Sequence, residues 1–376
     1  MSKIFSNPSR VVDRYRRWLP VMQGLDTIDP LGETPISFSH PDIEALGSHD
    51  ENIAFPVPGC NWDLPWELQS ILGPTPGRCA SLLLRSRPWR LSCQHSQVID
   101  SRNRALHDPT TPWQGLHGRS WPLLRPRRID GTVLCLTNHG SPNLYHWLFS
   151  PTLQLIRLLD DSGFDSSEVT GLYLGASYPI EWPDYVETTL RKLGLGDLPR
   201  FRKSVRPRTL LWAVHSATGC WPSHSQWQWL RKRIKPATSR RGRKLYLGRS
   251  QATRRRVVNE RELMASLQAR GFECIEDLAA FSFDEQCHRI AQADVIVAPH
   301  GAALSLLFCC HPGAKLLELY SPTYPSPLYA ALAHFGSLMY KALMASPVMN
   351  AQFKSMDDMV VDIEEVLSSL SAWGID

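Results

Sequence analysis

Between residues 244 and 335, short apolar runs alternate with helical stretches, and this alternation restricts the fold more than any other feature of the chain. Lys244 to Leu247, Phe272 to Ile275, Val295 to Ala298 and Lys315 to Tyr320 read as strands. The stretches between them carry helix-start chemistry. Ser282-x-x-Glu285 is a capping box, and Asn259-x-x-Glu262 has the related N-cap pattern. Helices are therefore expected from Asn259 to about Arg270, from Ser282 to about Ala293, and over about 326–335. Short apolar strands separated by helices form βαβ units and a parallel sheet.

The same alternation, less sharp, occupies the preceding hundred residues. Val133–Leu136, Gly171–Leu174 and Leu210–Val214 are apolar runs, followed by expected helices from Pro142, around 181–193 and around 223–234. A last helix is expected over about 356–372. The pattern predicts an α/β protein of two domains facing a cleft, over residues 126–235 and 236–350, with a terminal helix in 351–376. Residues 1–125 are rich in Pro and Trp and read as an irregular region packing on the first domain, with a strand at Ala80–Leu84. In open α/β sheets ligands bind outside the C-terminal ends of the strands.

A chain of 376 residues, 43% hydrophobic and 20% charged, can bury a core without disulfide or metal staples. The nine Cys are odd in number and form no C-x-x-C, and Cys135 and Cys309 lie in apolar runs. This pattern points to a reducing, cytoplasmic compartment. The first twenty residues are interrupted by charges, unlike a secretory leader, and no apolar stretch reaches the ~18 residues of a membrane span. The net charge of +5 is concentrated in clusters between 202 and 256. Such clusters suit a phosphorylated substrate, peripheral contact with an anionic membrane, or nucleic acid. Aromatic residues are not interleaved with them at regular spacing, which disfavours nucleic acid.

Four segments carry candidate chemistry. In Ala293 to Leu304 a buried strand ends at Pro299-His300-Gly301 and small residues, Ala302 among them, open the next helix. That arrangement lets a phosphate approach first-turn N–H groups, with His300 as a further donor. It also suits a tight strand-to-helix turn with His300 as a satisfied core residue. Gly248-Arg249-Ser250 through Arg254, Arg255 and Arg256 to Asn259 follows a strand and is either an anion-binding loop or a solvated basic one; Asn259 reads more as a cap than as a ligand contact. Glu318 lies in an apolar strand, where a carboxylate needs a partner: a ribose hydroxyl, or one of the arginines. Upstream, Ser141 and Pro142 suit a helix start, Trp147 and Leu148 its buried stripe, and Asn143, His146 and Ser150 a different face. His146, expected near the domain cleft, is either a general base or a histidine bonded within the interface. No P-loop, G-x-G-x-x-G, G-x-S-x-G, H-E-x-x-H or D-x-D is present. A bound diphosphate would then be met by Arg, His and helix N-termini, without a metal.

The order of these pieces resembles glycosyltransferase family 61. The resemblance rests on Arg249, Arg255-Arg256, Asn259-Glu260, Gly271-Phe272, Ser282 to Gln286, Ala293 to Val297, His300-Gly301-Ala302, Phe308 to Gly313 and Glu318-Leu319, with His146-Trp147-Leu148 as a shorter match upstream. It implies two Rossmann-like domains in the GT-B arrangement and an inverting, metal-independent transfer from a nucleotide-sugar co-substrate, with no other cofactor. The acceptor would be a glycan or lipid-linked glycan of a cell surface. Arg249, Arg254, Arg255, Asn259, His300, Gly301, Ala302 and Glu318 would bind the donor, with Glu318 on the ribose. Asn143 and Trp147 would lie on the acceptor side, and His146 would be the base. Two positions depart from the family: Leu306 stands where Asn is usual, and Ser150 where an acidic residue is usual. These departures motivate the rival reading of a non-catalytic relative that binds nucleotide or glycan.

Overall fold

The computed structural model describes residues 43–53, 75–84, 90–91, 98–99, 126–136, 143–174, 181–215, 224–237, 241–321, 323–324, 326, 328–349 and 357–376. They divide into two compact units, parted between Ser223 and His224.

The first unit holds β1 (Ile43–Ile53), β2 (Thr75–Leu84), β3 (Arg90–Leu91), β4 (Val98–Ile99), β5 (Arg127–Cys135), β6 (Val169–Tyr173), β7 (Arg200–Phe201) and β8 (Val205–His215). Strands β8-β5-β6-β7 are neighbours in that order and all parallel. The antiparallel pair β1–β2 extends this sheet beyond β8, so part of the expected irregular region is sheet. Helices α1 (Leu144–Trp147) and α2 (Leu153–Ser162) are joined by a π-helical turn, Leu148–Thr152, which contains Pro151. Proline lacks the N–H that an α-helical ladder needs, which accounts for the widened turn. Helix α3 spans Asp184–Lys192. The expected cap Ser141 and first-turn Pro142 lie outside the described residues.

The second unit is a five-stranded parallel sheet of β9 (Arg243–Leu247), β10 (Glu273–Ile275), β11 (Ala293–Pro299), β12 (Lys315–Tyr320) and β13 (Met339–Met344). Its order is β10-β9-β11-β12-β13. The chain steps outward from β9 to β10, then returns to place β11 on the other side of β9. This reversal opens a crevice at the C-terminal ends of β9 and β11, the position where doubly wound sheets bind ligands. Helices α4 (His224–Ile234), α5 (Glu260–Gln268), α6 (Phe283–Ala291), α7 (Leu328–Phe335) and α8 (Ile363–Ala372) belong to this unit, with a short antiparallel pair β14 (Ser346–Val348) and β15 (Asp358–Val360). Leu263, Leu267, Val295, Val297, Leu317, Leu319, Val366 and Leu370 share one core, so α8 is part of this domain and not a separate terminal piece.

The division falls before α4, not at the expected residue 235. Buried Trp227 packs edge-on to Phe308 with ring centroids 6.4 Å apart. Arg231 Nη1 donates to the carbonyls of Phe308 and Cys310 at 2.9 and 2.8 Å. These contacts bind α4 to the second unit. Cys135, Cys287, Cys309 and Cys310 are buried free thiols. Among the described residues no helix is long and apolar enough to cross a membrane.

Candidate functional site

Arg249 lies just past the end of β9 and Gly301 just past the end of β11, so the topology brings them to the two lips of the same crevice. They are in contact: a Cβ at residue 301 would overlap Arg249 Nη1. Gly301 is required for this close approach, since its backbone is extended and permits any residue. The Arg249 backbone is held by a buried carboxylate. Glu260 Oε1 accepts from Arg249 N at 2.9 Å and from the Tyr246 hydroxyl at 2.8 Å. The guanidinium is held by Nη2 donating to the Arg254 carbonyl at 3.2 Å.

Arg255 is a non-glycine residue in the left-handed region, with φ of 54°. This twist sends consecutive arginines in opposite directions. Arg256 points outward to Asp358, which accepts from its Nη2 at 2.7 Å and from its Nε at 3.0 Å. Arg255 is buried and stacks over Tyr324 at 4.5 Å from the ring centroid. The same ring lies 5.6 Å from that of His300. Among the described residues neither Arg249 nor Arg255 forms an ion pair with a carboxylate, and the Nε of each is buried without a hydrogen-bond partner. Burial, together with the Arg255 charge beside it, pulls the Arg249 guanidinium down to about 10. Burial also lowers Arg255. Both stay charged at neutral pH. Glu260 and Glu318 lie near enough to favour the charges of Arg249 and Arg255 respectively but pair directly with neither guanidinium. Two adjacent buried cations therefore remain only partly compensated, and a multivalent anion would complete that compensation.

His300 is buried against Tyr320 and Tyr329, with ring centroids 5.1 and 4.8 Å away. Its Nδ1 meets Glu318 Oε1 at 2.6 Å. The other oxygen, Glu318 Oε2, accepts from the Tyr340 hydroxyl at 2.8 Å. Burial lowers the imidazole, and the Glu318 bond opposes that shift.

Of the expected donor residues, Arg249, Arg254, Arg255, His300, Gly301 and Ala302 therefore gather at one crevice, Arg254 through its carbonyl and Ala302 as the first residue of the 3-10 helix Ala302–Cys309. Two do not fit their expected parts. Asn259 neither caps α5 nor faces the crevice: its Nδ2 donates to the Val361 carbonyl at 2.8 Å and its Oδ1 accepts from Val361 N at 3.0 Å. Glu318 is fully buried and its two oxygens serve His300 and Tyr340, so it is not presented to a ribose. Leu306 is also fully buried, so its side chain contributes packing and not a ligand contact. Sequence reasoning missed Glu260 and Tyr340. Glu260 had a signal, an acidic residue at a helix start directly after a basic loop. Tyr340 had none, because it sits on an edge strand that the pattern does not reveal.

Asn143 is the cap of α1, its Oδ1 accepting from His146 N at 2.9 Å, which differs from an acceptor-side role. Trp147 is buried, and its Nε1 donates to Thr189 Oγ1 at 2.6 Å; it is a core anchor and not an acceptor platform. His146 is half-buried in the first helical turn, and burial lowers its imidazole. The Ser150 side chain lies outside the described residues.

Two comparisons bear on this arrangement. Residues 141–317 match the family described as Glycosyltransferase 61. A segment of the chain is 35% identical over 95 residues to a beta-1,2-xylosyltransferase of Oryza sativa subsp. japonica. That alignment spans 23% of this chain and 18% of the rice protein. The matched family region contains the crevice residues from Arg249 to Ala302 and, upstream, the α1 segment. Over residues 141–317 the chain is therefore similar to the glycosyltransferase 61 family.

Proposed function

We propose that this chain is an inverting, metal-independent glycosyltransferase that moves a sugar from a nucleotide-sugar to a hydroxyl of a glycan or lipid-linked glycan. The observation that carries the reading is the pair of buried guanidiniums, Arg249 and Arg255, packed beside Gly301 and His300 at the sheet's switch point. Their two positive charges would neutralise a diphosphate that other enzymes hold with a metal, and the sequence lacks a D-x-D to hold one. The acceptor oxygen attacks the anomeric carbon as the bond to the diphosphate oxygen breaks, and the configuration inverts. His146 is the proposed base: burial favours its neutral form, which can take the hydroxyl proton. The name of the rice relative favours a pentosyl donor.

A thermal-shift screen of the intact chain against nucleoside diphosphates and nucleotide-sugars tests the donor site. A ligand at a hundred times its dissociation constant adds about 2.7 kcal/mol to stability, and the matching nucleotide should raise the midpoint accordingly. Arg249→Ala should abolish the rise. An unchanged rise in that variant would remove Arg249 from the site. Release of free nucleoside diphosphate from the matching nucleotide-sugar separates an active enzyme from a binding-only relative.

A further inference from the structure

We propose that the donor diphosphate binds together with one proton, taken up by His300 and held there by Glu318 and Tyr340. The inference rests on the donor-site reading above and specifies its chemistry.

A neutral imidazole has one N–H and one lone pair. Glu318 Oε1, 2.6 Å from His300 Nδ1, is a carboxylate oxygen and accepts, so the proton of the neutral ring sits on Nδ1. Nε2 then carries a lone pair and, among the described residues, makes no hydrogen bond. A phosphate oxygen can only accept. The two lone pairs repel unless Nε2 gains a hydrogen. The ring cannot answer by changing tautomer, because moving its proton to Nε2 would set a bare Nδ1 against the carboxylate. A second proton on Nε2 resolves both contacts at once.

The surroundings fix when that proton arrives. Arg249 and Arg255, from the loop after β9, oppose a third positive charge, as does burial. Glu318 on β12 favours it. The remaining titratable neighbours are Tyr320 on β12, Tyr340 on β13, Tyr329 on α7 and Tyr324 in the loop before it, and those with resolved shifts, Tyr320, Tyr329 and Tyr340, are pushed upward and stay neutral. In the empty site the cations and burial keep the ring neutral. A bound diphosphate offsets the two guanidiniums and places negative charge at Nε2, so the ring charges. The proton comes from solvent and returns to it when the nucleotide leaves. Glu318 and Tyr340 act as positioning residues: one supplies the counter-charge, and the other fixes the carboxylate by donating to Oε2 at 2.8 Å.

The test is calorimetric titration of the intact chain with UDP and with GDP, in buffers of different ionisation enthalpy, between pH 7.5 and 9. A terminal phosphate with a second pKa of about 6 is already ionised there. The expected result is net proton uptake approaching one per nucleotide bound, with affinity falling about tenfold per pH unit once the free ring is neutral. His300→Gln keeps a side-chain donor but cannot titrate. It should bind with a flat pH profile and no uptake. Glu318→Gln should reduce uptake, and if it fails to fold, the wild-type buffer series still decides. Tight binding of either nucleotide by the wild type with a flat profile and no uptake would overturn the proposal while leaving the donor-site reading intact. Absence of binding by both nucleotides would overturn both.

Discussion

At the scale of single residues, Gly301 tests the site most directly. Gly301→Ala presses a methyl group into Arg249 Nη1, the free end of a flexible side chain. The fold should therefore lose no more than about 1 kcal/mol. The guanidinium, however, must move, and nucleotide affinity should fall by at least about tenfold, read by calorimetry. Arg249→Lys should weaken binding by a similar factor, because an ammonium keeps the charge but not the fork. Trp147→Phe should cost about 1–2 kcal/mol in chemical denaturation through the lost bond to Thr189 Oγ1, without raising the acceptor KM. Arg249, His300 and Gly301 were legible in the sequence because each stands just after an apolar strand, and Arg254 and Arg255 because they lie in the basic loop that follows the same strand as Arg249. The helical pattern also placed Trp147 in the buried stripe, where it lies. The part of Glu318 was not legible, since a polar side chain in an apolar run shows that it needs a partner without showing which. Nor was that of Asn259, whose partner Val361 is distant in sequence.

At the scale of elements, the period of the apolar residues placed the longer strands β5, β6, β8, β9, β11 and β12, the short β10, and most helices after residue 126. It did not place β7, β14 or β15, the last of which lies inside the helix expected over about 356–372. The strand β13 escaped because Met339-Tyr340-Lys341-Ala342-Leu343-Met344 contains no β-branched residue and owes its conformation to pairing with β12. The strand expected at Ala80–Leu84 is the second half of β2, whereas β1 and the first half of β2 escaped because their hydrophobicity is diluted by charged, polar and small residues. Helix α5 offers a sharp test of capping against tethering. Asn259 bonds twice to the backbone of Val361, just ahead of α8, and makes no side-chain bond to its own helix. Asn259→Ala should therefore cost about 1–3 kcal/mol by leaving the Val361 N–H and carbonyl unpaired. Nucleotide affinity, measured well below the melting midpoint, should stay within about twofold.

At the scale of the whole molecule, the two units are proposed to take separate parts in the reaction, and their variants should separate accordingly. His146→Ala in the intact chain should keep nucleotide affinity within about twofold while transfer to acceptor falls by about a hundredfold or more, the usual contribution of a general base. Transfer at the wild-type rate would clear His146 of that role. The domain boundary was misplaced by a helix because periodicity reports that α4 has a buried face, not which sheet receives it; Trp227 and Arg231 decide that. The left-handed backbone of Arg255 has a consequence for any attempt to harden this protein. Glycine or asparagine would relieve about 1 kcal/mol of conformational strain there, and would also delete a desolvated cation. A library selected only for heat tolerance should drift toward those residues at position 255 and lose its grip on nucleotide as it does so.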